Sequence, residues 1–259
     1  MIANYHTHTV RCRHATGDEE AYIQNAIARG FRIFGFSDHA PQWFPGDYYS
    51  HMRMYPDQLL EYCDTVRNLQ CSYRGQLEIP LGMEVEYYPA VFGELIPRLR
   101  DHGVEYLLLG QHWIYNEFDG PYCGAPTEDE HILQQYCDQT ITAMETGLFT
   151  YLAHPDLIGF VGERKIYEKH MRRLCLSANA TNTPLEINFL GISENRRYPN
   201  PTFWEIAAEE GCKVVLGIDA HCPEHVLNTE AEETAMELVG KYSLNLLETL
   251  PLKKLLYNA

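Results

Sequence analysis

Apolar residues in this chain fall in short runs separated by longer stretches of helical period. "IANYH" opens as a strand, "DEEAYIQNAIARG" reads as an amphipathic helix ended by Gly30, and "FRIFGFSDH" returns to strand. The alternation continues with "PDQLLEYCDTVRNLQ" as helix, "LEIPLGMEVEYY" as strand, "VFGELIPRLRDHG" as helix and "VEYLLLGQHWI" as strand. "EDEHILQQYCDQTITAMETG" then predicts a helix, "FTYLAH" a strand and "KIYEKHMRRLCLSANATN" a helix. "PLEINF" (strand), "PTFWEIAAEEG" (helix) and "CKVVLGIDAH" (strand) complete the pattern.

Seven strands alternating with helices imply an α/β fold around a parallel sheet, either open or closed into a barrel. No linker divides the chain, so residues 1–259 read as one domain. "PQWFPGDYYSHMRMY", rich in proline, glycine and aromatic residues, reads as a long loop after the second strand, and loops of that length are often functional.

The polar residues that interrupt this pattern cluster at strand ends. His6 and His8 end the first strand, Asp38 and His39 the second, Glu84 and Glu86 the third, and His112 the fourth. His154 ends the fifth, and Asp219 and His221 the seventh. Parallel α/β folds build their sites at the carboxyl ends of strands, so these side chains are expected to converge on one pocket. Residues two apart on a strand share a face, which puts the imidazoles of His6 and His8 about 7 Å apart on one side. A lone H-x-H is either a polar strand end or a pair of ligands to one metal. Five or more strands ending in His, Asp or Glu favour the metal.

Composition narrows the choice of partner. The net charge of −16 opposes broad contact with a phosphate backbone, which needs lysine and arginine, so nucleic acid is not expected. A small phosphate ester remains compatible, because metals and a few arginines hold it locally. Neither a signal-like opening nor an eighteen-residue apolar run is present, and the expectation is a soluble cytoplasmic protein without membrane contact. The eight cysteines lack a C-x-x-C pair and read as free thiols, with Cys12 and Cys222 lying near the histidine-rich segments.

Imidazole and carboxylate ligands suit Zn²⁺, Mn²⁺ or Fe²⁺, and one carboxylate can bridge two ions. Clustered ions lower the pKa of a bridging water and polarise phosphoryl oxygens. The segments "YHTHT", "FSDHA", "LGMEVEY", "LGQHW", "YLAHPD" and "GIDAH" resemble, in order and spacing, the motifs of the polymerase and histidinol phosphatase (PHP) superfamily. The resemblance runs from His6 to His221. "HTHTVRCRHATGD", "HMRMYPDQLLEYCDTVRNL" and "LGMEVEYYP" look most like its histidinol-phosphatase branch.

That resemblance implies a distorted (β/α)7 barrel with two or three divalent metal ions at the carboxyl ends of the strands. It assigns His6, His8, Glu84 and Asp219 to a first metal. Glu84 bridges to a second, completed by His112 and His154, while His14, His39 and His221 hold a third. Asp38 is a candidate to orient a ligand histidine, and Glu86 either supports the site or is solvated. His102, His131 and His170 fall on helical stretches and are expected at the surface.

Phosphate binding calls for cations besides the metals. Arg164 in "FVGERKIYE" and Arg197 in "ISENRRYPNP" are the candidates, although the motif does not separate Arg196 from Arg197. Arg53 is a further candidate for substrate contact, and Trp43, Tyr48 and Tyr49 for a pocket wall. The implied activity is hydrolysis of L-histidinol phosphate to L-histidinol and phosphate through a metal-bridging hydroxide. Asp219 or a water would protonate the departing alkoxide. Alternatives are a relative acting on phosphotyrosine, a nucleotide or a nucleic-acid end, and a noncatalytic metal-binding domain. The last would show missing ligand types, and none is missing.

Overall fold

Each strand of this chain is flanked by helices that cover one of its faces, and the alternation of inward and outward side chains sets what lies on each side. The computed structural model describes residues 1–44 and 46–255. Its strands are β1 (Ala3–Asn4), β2 (Ile33–Phe34), β3 (Gly82–Val85), β4 (Tyr106–Leu109), β5 (Phe149–Leu152), β6 (Leu185–Asn188), β7 (Lys213–Gly217) and β8 (Asn245–Leu246). Between them lie α1 (Glu19–Ala28), α2 (Leu59–Ser72), α3 (Pro89–Asp101), α4 (Glu130–Glu145), α5 (Arg164–Ala180), α6 (Phe189–Ser193), α7 (Pro201–Glu209) and α8 (Thr229–Tyr242).

All pairings within the sheet are parallel. β3 to β8 lie side by side in chain order, and β1 pairs with β2. Single bridges at Ile33–Glu78, Phe36–Leu81 and His39–Glu84 carry the β2 line onto β3. A Thr7–Ala220 bridge carries the β1 line onto that of β7, with His8 N donating to Ala220 O at 2.9 Å. The seven predicted strands thereby close into a distorted barrel. A register shift at Leu107/Leu108 and a single Leu152–Leu185 pairing between β5 and β6 mark the irregular side. β8 is an addition, pairing with the start of β7 through Lys213–Asn245 and Val214–Leu246.

The period of two divides the core. Leu107 and Leu109 point outward into the layer between sheet and helices, as do Leu185, Ile187, Met83 and Val85. Tyr5, Tyr106, Leu108, Tyr151, Ala153 and Val215 fill the interior. On β3 the inward phase falls on Gly82 and Glu84, continuing to Glu86, and on β6 it falls on Glu186 and Asn188; these acids and the amide are all buried. The barrel interior is therefore apolar in one layer and acidic above it, toward the carboxyl ends of the strands.

The helices expected from the sequence are present, and α6 and α8 are additions to them. Asp18 caps α1 by accepting from Ala21 N at 2.8 Å, and Asn200 caps α7 ahead of Pro201. His170 departs from expectation: it is buried on α5, with Nε2 3.0 Å from Glu130 Oε1 on α4. Among the described residues no helix is long and apolar enough to cross a membrane.

Candidate metal centre

At the carboxyl end of β1, Asn4 locks the strand exit. Its Oδ1 accepts from Ile218 N at 2.9 Å and its Nδ2 donates to Thr7 Oγ1 at 2.8 Å. That fixes the backbone from which His6 and His8 enter the barrel mouth. A 3₁₀ turn at Val10–Cys12 then brings His14 back over the same opening. His154 and Asp219 sit in left-handed backbone, at φ 30° and 53°, a conformation that ordinary residues hold only when their surroundings impose it.

The nine proposed ligands meet in one cluster. Asp219 Oδ1 lies 3.0 Å from His8 Nε2 and 3.4 Å from His6 Nε2, and those two nitrogens are 3.2 Å apart. Glu84 Oε2 lies 2.9 Å from His39 Nδ1, 3.6 Å from His8 Nε2 and 3.7 Å from His6 Nε2. The other oxygen, Oε1, is 2.9 Å from His154 Nε2 and 3.7 Å from His112 Nε2. His14 Nε2 and His221 Nε2 face each other at 2.9 Å. Glu84 is thus central, with its two oxygens turned to different groups of imidazoles.

The donor set fits divalent metal ions. His6, His8, His14 and His221 each turn Nδ1 to an oxygen, so in their neutral forms the Nε2 atoms face one another at 2.9–3.2 Å as lone pairs, an arrangement that a cation or a proton between them relieves. Glu84 Oε2 and Asp219 Oδ1 are buried and accept no aligned hydrogen bond despite their close histidines. Buried polar atoms in this state call for another partner. Groups able to hold an ion include His6–His8–Asp219, His6–Glu84–His154, His8–His39–Glu84 and His14–His39–His221. Cys12 is buried beside His8 and His221, and burial pushes its thiol pKa upward, so it stands there as a neutral group.

The electrostatics suit such ligands. Burial alone would raise the Glu84 carboxyl, but His39, His112 and His6 around it hold it well below the usual carboxylate range. Burial likewise opposes ionisation of Asp219, and His6, His8 and His221 overcome it. Burial opposes the charged forms of His6, His8, His112, His39 and His221; the surrounding carboxylates raise the first three above the ordinary histidine value, whereas His39 and His221 stay well below it.

Behind the cluster, carboxylates aim the rings. Asp38 Oδ1 lies 3.4 Å from His8 Nδ1 and also accepts from His39 N at 2.8 Å. Glu86 Oε1 lies 3.1 Å from His112 Nδ1. Glu186, which the sequence reading passed over, accepts at 2.8 Å from His6 Nδ1, at 3.1 Å from Tyr151 and at 3.0 Å from His154 N. Asn188, also passed over, donates from Nδ2 to Glu186 Oε2 at 2.9 Å and to Asp219 Oδ2 at 3.1 Å. The signal for both was the polar phase of "LEIN" within a run otherwise apolar. Two glycines make room: a Cβ on Gly110 would stand 1.9 Å from Glu84 Oε1, and one on Gly217 1.8 Å from Glu186 Oε1.

The cluster floors a cavity of about 640 Å³, large enough for a small ester. Tyr48, Trp113, Tyr122 and Tyr198 give it an aromatic wall, and Glu117, Glu194 and Arg196 add charge. The arginines sort differently from the sequence expectation. Arg164 is 64 % exposed and engaged with Glu168 at 2.5 Å and Glu205 at 2.7 Å, away from the cavity lining. Arg197 is exposed and also absent from that lining, whereas Arg196 reaches it, donating to Tyr198 Oη at 2.8 Å and to Glu194 Oε2 at 2.7 Å. The reason is local: α6 ends at Ser193, Asn195 takes left-handed backbone at φ 49°, and Arg196 N returns to Gly191 O at 2.9 Å, which leaves Arg196 rather than Arg197 at the cavity. In the aromatic loop, Tyr48 lines the cavity while Trp43 and Tyr49 line a separate recess. Arg53 is buried in ion pairs rather than open to a ligand, and Pro45 lies outside the described residues.

Comparison with known proteins agrees with this geometry. The model of the PHP domain family matches residues 4–190. A probable histidinol-phosphatase of Deinococcus radiodurans is 30 % identical over 236 residues, covering 87 % of this chain and 88 % of the relative. A probable histidinol-phosphatase of Schizosaccharomyces pombe is 25 % identical over 279 residues, covering 97 % and 91 %. In fold, the chain is similar to the crystal structure of histidinol phosphate phosphatase from Lactococcus lactis complexed with zinc, L-histidinol and phosphate. That likeness has a TM-score of 0.74 at 17 % identity and covers 96 % of each chain.

Proposed function

Since the chain belongs to the PHP domain family, we propose that it is a metal-dependent phosphomonoesterase whose substrate is L-histidinol phosphate. Membership of that family, beside relatives named histidinol-phosphatase, makes it a histidinol-phosphatase-like phosphoric monoester hydrolase. The observation that carries the substrate and metal reading is the convergence of nine imidazole and carboxylate groups at the floor of a cavity walled by aromatics and one arginine. The whole of 1–259 is read as one phosphoesterase unit.

In this reading His6, His8, Glu84 and Asp219 hold one ion, Glu84, His112 and His154 a second, and His14, His39 and His221 a third. Divalent ions so held supply Lewis acidity toward phosphoryl oxygens and lower the pKa of water. Arg196 takes the phosphate oxygens from the cavity wall, the part that sequence reasoning gave to Arg164 and Arg197. Glu186, Asp38 and Glu86 keep the rings of His6, His8 and His112 aimed, so little reorganisation is left to the reaction. The proton that the departing alkoxide takes up comes from a water or by way of Asp219, which lines the cavity and, held ionised by its histidines, would have to receive that proton first. The leaving alcohol of histidinol phosphate carries an ammonium and an imidazole, which suit a wall of Tyr48, Trp113 and Tyr122 flanked by Glu194.

A phosphate-release screen over histidinol phosphate, sugar phosphates, nucleotides, phosphotyrosine and p-nitrophenyl phosphate tests the substrate. We expect kcat/KM for histidinol phosphate to exceed that for p-nitrophenyl phosphate by tenfold or more, about 1.4 kcal/mol of differential transition-state binding. Efficient use of another ester with poor use of histidinol phosphate would remove the substrate and leave the phosphoesterase.

A further inference from the structure

Arg53 is among the largest fully buried side chains, at 1 % exposure, and it lies outside the metal cluster. Every arm of its guanidinium is engaged. Nε donates to Glu117 Oε2 at 2.9 Å and to Ser50 Oγ at 3.2 Å, and Nη1 donates to Ala40 O at 3.0 Å. Nη2 donates to Glu117 Oε2 at 2.5 Å and stands 2.7 Å from Glu86 Oε2, an ion pair without hydrogen-bond alignment. Two carboxylates thus share one cation in the interior.

Both carboxylates lead onward. Glu86 turns its other oxygen to His112 Nδ1 at 3.1 Å, which leaves His112 Nε2 directed at Glu84. Glu117 turns its other oxygen to Tyr48, whose hydroxyl donates at 3.0 Å, and Tyr48 is packed edge-on against Phe44 and Phe118. Tyr48, Glu117 and His112 all line the main cavity. The connection Tyr48–Glu117–Arg53–Glu86–His112 therefore runs behind the cavity, from its aromatic wall to its floor.

We infer that Arg53 is a positioning residue that clamps Ala40, Ser50 and Glu117 onto Glu86, so that Tyr48 of the aromatic wall and the ring of His112 are held as one unit. This rests on His112 being a metal ligand, as proposed above. The chemistry requires arginine. A planar fork serves Glu86, Glu117, Ser50 and the Ala40 carbonyl together, whereas an ammonium on a longer-lever stem reaches only part of that set. Outer partners of ligating histidines commonly affect metal affinity by 10- to 100-fold, and Arg53 acts one step further out through Glu86.

The test is competition titration of metal-stripped full-length protein with Zn²⁺ against a chromophoric chelator, in wild type, Arg53→Lys, Glu86→Gln and the double variant. Arg53→Lys is expected to weaken one zinc equivalent by about tenfold while the others keep wild-type affinity. The double variant is expected to be no weaker than the worse single variant, because both changes loosen the same ring. Should Arg53→Lys fail to fold, Glu117→Gln carries the test, since it keeps the shape of the clamp and removes one charge; threefold or greater weakening of the same equivalent is expected. Wild-type affinity for all equivalents in the folded variant, or losses that add in the double variant, would overturn the assignment. Affinity is read without substrate, so a wild-type protein that binds zinc but hydrolyses no phosphate ester removes the phosphatase reading alone.

Discussion

Replacing Arg196 with alanine separates the three arginines of the barrel mouth. Arg196 faces the cavity with its guanidinium held by Tyr198 and Glu194, while Arg164 is spent on Glu168 and Glu205 at the surface and Arg197 lies outside the lining. A hydrogen bond to a charged group is worth roughly 1.5–3 kcal/mol. The Arg196 side chain is 38 % exposed, so water screens part of that, and the lower half of the range applies. At 1.4 kcal/mol per tenfold, kcat/KM should fall by about 10- to 40-fold. Glu194, left without its partner beside an anionic ester, adds to the loss. Steady-state kinetics with histidinol phosphate, together with inhibition by inorganic phosphate, is the assay. Arg196→Ala should lose phosphate inhibition in parallel with kcat/KM and keep its metal content, whereas Arg164→Ala and Arg197→Ala should stay within about twofold of wild type. A wild-type Arg196→Ala beside an impaired Arg164→Ala or Arg197→Ala would refute the placement of the phosphate grip.

Two further substitutions probe the packing behind the cluster. Gly110→Ala puts a methyl 1.9 Å from Glu84 Oε1; displacement of that carboxylate should cost roughly 1–3 kcal/mol in urea denaturation and reduce bound metal, and unchanged stability with full metal would contradict the fit. Glu186→Gln keeps the volume but weakens the grip on His6 Nδ1, so metal affinity should drop by about 10- to 100-fold in a chelator competition, whereas unaltered affinity would make Glu186 a packing residue only.

Much of this fold is legible in the sequence because strands buried on both faces stand out as short apolar runs. "EYLLLG" is such a run, "LEINF" adds polar residues at every second position, and Gly30, Gly147 and Gly211, all at positive φ just past helices, mark where those helices end. Convergence of His6, Glu84, His112, His154 and Asp219 follows from one fact, that parallel strands bring their carboxyl ends to one face. What the sequence conceals depends on loop geometry or on distant pairing. Arg196 and Arg197 are adjacent in the chain and differ only in which way a turn points them. Arg53 reads as a candidate for substrate contact in an aromatic loop until Glu86 and Glu117, 33 and 64 residues away, are seen to enclose it. His170 reads as a surface residue on α5 because its cover comes from α4. β8, only Asn245–Leu246, is too short to announce itself by period and is defined by the edge of β7 that it meets.

The most direct test of the central claim is removal and return of metal. Purified protein is assayed for metal by plasma emission spectroscopy, stripped with a chelator, and reconstituted with Zn²⁺, Mn²⁺ or Fe²⁺ while phosphate release from histidinol phosphate is followed. The geometry around Glu84 predicts two or three equivalents bound, turnover abolished on stripping, and turnover restored by at least one of the ions. Full phosphatase activity in protein shown to be free of metal would contradict it.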